Sequence, residues 1–127
     1  METKNAILFS VASGLHYKLQ QCCIRGCTET VDEMLEDLIT IYSLAKELGH
    51  ADDMVCENYH KISMALYGYR GGSNNQSVLK DWVVDCFTGL MKLLCKKMGY
   101  TPCKNIVNYP TTMFFVENST NIIVGVV

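Results

Sequence analysis

The chain lacks most of the features that announce a chemistry outright. No apolar run approaches the roughly eighteen residues a membrane-spanning helix needs. Excess charge is missing too: 11 basic against 13 acidic residues leave a formal net charge of −2, which supplies no global pull toward nucleic acid or an acidic membrane. The seven cysteines are odd in number and fall in no disulfide framework, so the compartment reads as reducing and the location as cytoplasmic. A secretory leader is not indicated, because the run from Ala6 to Ala12 is interrupted by Ser10 and Glu2 spoils the basic start. On that reading the sequons at Asn75 and Asn118 are chance matches. Internal repeats, low-complexity tracts and sustained heptads are also missing.

What is present is the composition of an ordinary folded chain. Hydrophobic residues make up 49% and charged residues 19%, which excludes intrinsic disorder. At 127 residues the sequence fits one globular domain, residues 1–127, that buries about two-thirds of its unfolded surface.

Periodicity predicts four helices. Leu8, Val11, Ala12, Leu15, Leu19, Cys22 and Cys23 recur at three- and four-residue steps over about residues 4–25. The second helix, about 30–48, carries a stripe of Val31, Met34, Leu35, Leu38, Ile41, Ala45 and Leu48. Thr30 and Glu33 suit a capping box at its start, and Gly49 suits the C′ position at its end. Asp52 suits the cap of a third helix, about 52–67, with Val55, Tyr59, Ile62 and Leu66 on its apolar face. The short connection makes helices two and three antiparallel neighbours.

A fourth helix, about 76–98, puts Leu79, Trp82, Val83, Cys86, Phe87, Leu90, Leu94 and Met98 on the buried side, and Gly99 and Pro102 mark its stop. Beyond it, the β-branched and aromatic segments 111–116 and 121–127 read as a C-terminal antiparallel hairpin turning at 117–120. The expected class is therefore α+β: a small four-helix bundle closed by a hairpin.

Motifs with chemical content are few. Cys22, Cys23 and Cys27, together with Cys56, Cys103, His16 or His60, are residue types that zinc accepts. The Cys-x₃-Cys spacing has no matching second pair, so buried free thiols are the expected state and no metal or cofactor is assigned. His50 sits at a predicted helix end, where a cation suits the dipole, and His60 lies beside an apolar stripe. No histidine belongs to a nucleophile–base motif, so no catalytic residue is assigned and an enzyme is not expected.

The Gly-rich stretch Tyr67, Gly68, Tyr69, Arg70, Gly71, Gly72, Ser73, Asn74, Asn75 combines aromatics, one arginine and flexible backbone before a helix N-terminus. Those parts suit an anion or a stacked base. No Gly-Lys-Ser/Thr follows, and no strand precedes it as the dinucleotide fingerprint requires. A small-ligand or nucleotide binder using Tyr67, Tyr69, Arg70, Gly71, Gly72 and Ser73 is the alternative function.

Charge placement carries more. Residues 28–57 hold nine acids and one lysine, a net of −8, whereas residues 58–127 hold seven bases and three acids, a net of +4. Glu29, Glu33, Glu36 and Asp37 share or border one face of helix two, opposite its stripe. Such a face steers a basic partner surface. Lys92, Lys96, Lys97 and Lys104 cluster as well, as expected of cations at a helix C-terminus. The terminal strand, with Ile122, Val124 and Val126, lacks the Lys or Pro that protects an edge, so it can pair with a second copy to form a homo-oligomer. The resulting expectation is a non-enzymatic interaction module, an inhibitor, adaptor or regulator of the size of small phage or viral effectors. It binds a protein partner through the acidic helical face or the strand edge, without nucleic acid and without a membrane.

Overall fold

The computed structural model describes residues 2–25, 31–70, 81–104, 113–118 and 123–126. Helix α1 spans Glu2–Arg25 and buries Leu8, Phe9, Ala12, Leu15, His16, Leu19 and Cys22 on one side. Val11 lies at the rim of that stripe, half-buried. Helix α2 spans Val31–Glu47 and buries Val31, Met34, Leu35, Leu38, Ile41 and Ala45. It ends in a Schellman motif: Gly49 adopts φ 76°, its N–H donates to the Lys46 carbonyl at 3.1 Å, and the His50 N–H donates to the Ala45 carbonyl at 2.7 Å. Glycine reaches that left-handed conformation without Cβ strain, which is why the helix stops there.

Helix α3 spans Asp53–Arg70. Asp52 caps it, with Oδ1 accepting the Val55 N–H at 3.0 Å. The helix runs three residues past its expected end because Tyr69, buried in the core, continues the stripe of Val55, Ile62 and Leu66. Helix α4 spans Asp81–Met98 and buries Val83, Phe87, Leu90, Met91, Leu94, Cys95 and Met98. Trp82 departs from expectation, being 51% exposed. One residue before Val83, it is turned about 100° off the buried stripe. Gly99, at φ 80°, ends α4.

Cross-links between elements fix the arrangement. Lys4 near the start of α1 pairs with Glu47 at the end of α2, and Lys18 farther along α1 pairs with Asp37. Tyr42 of α2 stacks on Tyr59 of α3, and Lys97 at the end of α4 pairs with Asp52 before α3. His16 lies beside Phe87, and Phe9 meets Tyr100 just after α4. Each neighbouring pair is thus antiparallel. The main contacts run α1 to α2, α2 to α3, α3 to α4 and α4 back to α1, an up-and-down four-helix bundle. Its fully buried side chains include Phe87, Leu8, Leu15, Leu19, Met34, Leu38, Ile41, Ile62, Leu66 and Leu90. Each contributes about 1.5–3 kcal/mol of transfer free energy.

The expected α+β class is overturned. Of the residues described with their side chains, 88% are helical, and among them every buried apolar residue except Tyr100 belongs to one of the four helices. The β residues are short segments, β1 (Tyr100–Lys104), β2 (Met113–Glu117) and β3 (Ile123–Val126), whose backbones pair antiparallel in the order β1-β2-β3. β1 starts directly after Gly99, where the sequence reading had only a helix stop and no strand. Fold class follows the elements that enclose the core. Among the described residues four amphipathic helices supply nearly all of it, so the β-favouring composition of the C-terminal segment does not define the class. The hairpin turn expected at 117–120 falls largely outside the described residues.

Candidate interaction site

The acidic side of α2 is built by one helical repeat. Glu33 and Asp37 are four residues apart and project toward α1, where Lys18 meets both. Its Nζ lies 2.8 Å from Asp37 Oδ2 and 3.9 Å from Glu33 Oε2. The hydrogen bond to Asp37 raises the Lys18 ammonium above its ordinary value, and the charges of Asp37 and Glu33 reinforce this against partial burial. Glu36 is exposed on the outer side, and its carboxylate has no ion-pair partner among the described residues. Glu29 lies outside the described residues. The expected face therefore divides into a part internally neutralised by Lys18 and a part, centred on Glu36, open to a partner.

The tyrosines of the Gly-rich stretch part company. Tyr67 is exposed and Tyr69 is buried in the core, because residues two apart on a helix point in nearly opposite directions. Arg70 is the last residue of α3, and Gly71, Gly72 and Ser73 lie outside the described residues. The two rings do not form a joint stacking platform. At the terminal strand, Ile122 also lies outside the described residues. Val124 and Val126 belong to β3, which pairs with β2 on one side and approaches α1.

The metal-ligand residue types are dispersed. The Cys22 thiol lies in the core, 3.9 Å from Met34 Sδ, toward the end of α1. Cys56 lies at the start of α3, at the other end of the bundle. Burial pushes the Cys95 thiol up to about 12. Cys23, Cys27 and Cys103 have side chains outside the description. Among the described residues no three His, Cys, Asp or Glu side chains converge as metal ligands.

His16 is buried, with Nε2 3.1 Å from Thr88 Oγ1. Thr88 spends its only hydroxyl proton on the Val84 carbonyl, 2.9 Å away, so His16 donates from Nε2. Burial lowers its pKa. His50 approaches Asn5 Oδ1 at 3.3 Å. Burial and the charge of Lys97 favour its neutral form, which reverses the expectation of a dipole-stabilised cation. Lys97 pairs with Asp52, while Lys92 and Lys96 are exposed.

One constellation was missed from sequence. Along the outer seam of α2 and α3, the Tyr42 and Tyr59 rings stack with centroids 4.4 Å apart and planes at 22°. The Tyr42 hydroxyl lies 3.3 Å from Cys56 Sγ. That hydrogen bond raises the Tyr42 phenol above its ordinary value, with the Cys56 charge, burial and Tyr59 adding. His60 meets Tyr59 edge-on at 5.7 Å, and Lys46 Nζ stands 5.9 Å above the Tyr42 ring. The available signal was Ile39, a large apolar residue off the α2 stripe, now 51% exposed.

No helix among the described residues is long and apolar enough to cross a membrane. Comparison with protein families, with curated proteins and with solved structures gives no match.

Proposed function

We propose that this bundle is a non-enzymatic interaction module, an inhibitor, adaptor or regulator, that recognises a basic surface on a protein partner through the outward acidic side of α2. The observation that carries this reading is Glu36. It projects from a rigid helix in the segment with net charge −8, without an ion pair among the described residues, and Glu33 and Asp37 flank it. Acidic groups held on a rigid scaffold raise the encounter rate with basic partners and penalise wrong ones.

The test is affinity purification from cells producing the protein, comparing wild type with the Glu33→Lys/Glu36→Lys variant. Partners lost from the variant, with its melting temperature preserved, support the reading. A captured set that does not change between the two ends it.

A further inference from the structure

Tyrosines at a helix–helix boundary are commonly filler that closes the gap between two stripes. The seam between α2 and α3 also leaves two large side chains, Ile39 and Tyr67, exposed. One turn back along α2 from Tyr42 is Ile39, and one turn forward along α3 from Tyr59 is Ser63. A further turn reaches Leu35 and Tyr67. Because the helices are antiparallel, these steps keep pace, and with Lys46 and Cys56 beyond the rings they mark out a seam of about 16 Å, three helical turns.

The pairing along that seam is unequal. Ser63, with its short side chain, keeps pace with Ile39, which is 51% exposed. Tyr67, one turn beyond the serine, is 52% exposed, whereas Ser63, Tyr42 and Tyr59 are half-buried. Along the seam, half-buried Ser63 therefore lies between the stacked rings and exposed Tyr67, level with exposed Ile39.

The charged rim identifies the occupant. Glu36 stands on the outer side of α2, and Asp53 and Glu57 on the outer side of α3. Against them, among the described residues, are Lys46, held over Tyr42, and Lys61, already paired with Glu57 at 3.5 Å. A second copy of this chain docking seam to seam would present the same acidic rim and be repelled. A helix with an apolar stripe flanked by Lys or Arg complements both the exposed apolar side chains and the rim. The stacked rings and the Tyr42–Cys56 hydrogen bond hold the seam ready, which lowers the ordering cost of binding.

We infer that the α2–α3 seam is a docking groove for a basic amphipathic helix of a partner protein, with Ser63 as its floor and Ile39, Tyr42, Tyr59 and Tyr67 as its walls. This deepens the interaction-module reading and rests on it, naming the partner's chemistry and moving the apolar contact to a surface distinct from the Lys18-neutralised side of α2.

The experiment uses two fluorescent model peptides, one with a Leu stripe and Lys on its remaining positions, the other with Glu in place of Lys. Anisotropy at low and physiological salt is combined with amide shift mapping on the full chain. The Lys peptide is expected to bind at least about tenfold tighter than the Glu peptide, with shifts concentrated in residues 35–46 and 56–67. Ile39→Ser with Tyr67→Ser, both exposed positions, is expected to weaken binding about tenfold or more while leaving the melting temperature in place.

Absence of binding overturns the inference, as does binding that the double variant leaves unchanged, or shifts that map elsewhere. Self-association abolished by the same variant also overturns it, because the occupant would then be a second copy. The two proposals fail separately. If cellular partners are lost from the Glu33→Lys/Glu36→Lys variant but retained by Ile39→Ser/Tyr67→Ser, the acidic-face reading stands and the groove does not.

Discussion

At the scale of single residues, His16 makes the bundle sensitive to mild acid. In the unfolded chain its imidazole titrates near the ordinary value of 6.5, whereas in the bundle burial lowers the pKa. Below about pH 6.5 the unfolded state therefore takes up a proton that the folded state resists. The contribution to stability is complete above that pH and is lost as pH falls toward the folded value. Lowering the pH from about 7.5 to about 5 is expected to reduce the melting temperature, and His16→Gln should flatten that slope, as differential scanning fluorimetry will show. His50 adds to the slope in the same direction.

Ser13 offers the opposite opportunity. Its buried Oγ has no hydrogen-bond partner among the described residues, so Ser13→Ala removes an uncompensated desolvation cost and should stabilise by about 1 kcal/mol in urea titration. Phe87, fully buried, should behave conventionally: Phe87→Ala is expected to cost about 3–5 kcal/mol by the same measurement.

At the scale of elements, helix ends are written in individual residues. Space around Gly49 is open, with nothing within 4 Å of an added Cβ, so Gly49→Ala meets only the backbone penalty of its positive φ. A loss of about 1 kcal/mol or more in chemical denaturation is the expected outcome. Asp52 serves two partners: Oδ1 caps α3, and Oδ2 lies 2.6 Å from Lys97 Nζ. The Lys97 hydrogen bond, with those from the α3 backbone, holds its pKa below the ordinary 3.8. That contribution is present above the unfolded value and is lost as pH falls through the folded one. Asp52→Ala should lower the melting temperature by several degrees, and Asp52→Asn, which keeps a capping oxygen, by less.

These ends, and the stripes between them, were legible because capping and periodicity are local. Tyr69 and Trp82 were not. Tyr69 extends its stripe past a glycine that reads as a stop, and Trp82 sits one residue off a stripe whose phase only Val83, Phe87 and Leu90 settle together.

At the scale of the molecule, the sequence reading foundered on relations between elements. A β-favouring segment suggests a hairpin, but whether it defines the fold depends on which elements carry the core, and among the described residues the helices carry nearly all of it. The Tyr42–Tyr59 stack was equally invisible, since the two tyrosines lie on different helices and meet only through the antiparallel register. The same register sets Ser63 against Ile39, a mismatch that neither helix shows alone. Glu33, Glu36 and Asp37 were recognised as an acidic face of α2, but Lys18, whose charge answers two of them, comes from α1.

Lys4–Glu47, Asn5–His50 and Asp52–Lys97 gather where α1 and α3 begin and α2 and α4 end, beside the Schellman turn. Amides held by such ties exchange only when the surrounding structure opens with them. Core amides near this laced end should therefore exchange slowly, and Asp52→Ala should speed them. A ligand seated on the first turns of α2, with Glu33 and Glu36, would be read as slowed exchange at a distance from the lacing, a signature that needs neither a label nor a known activity.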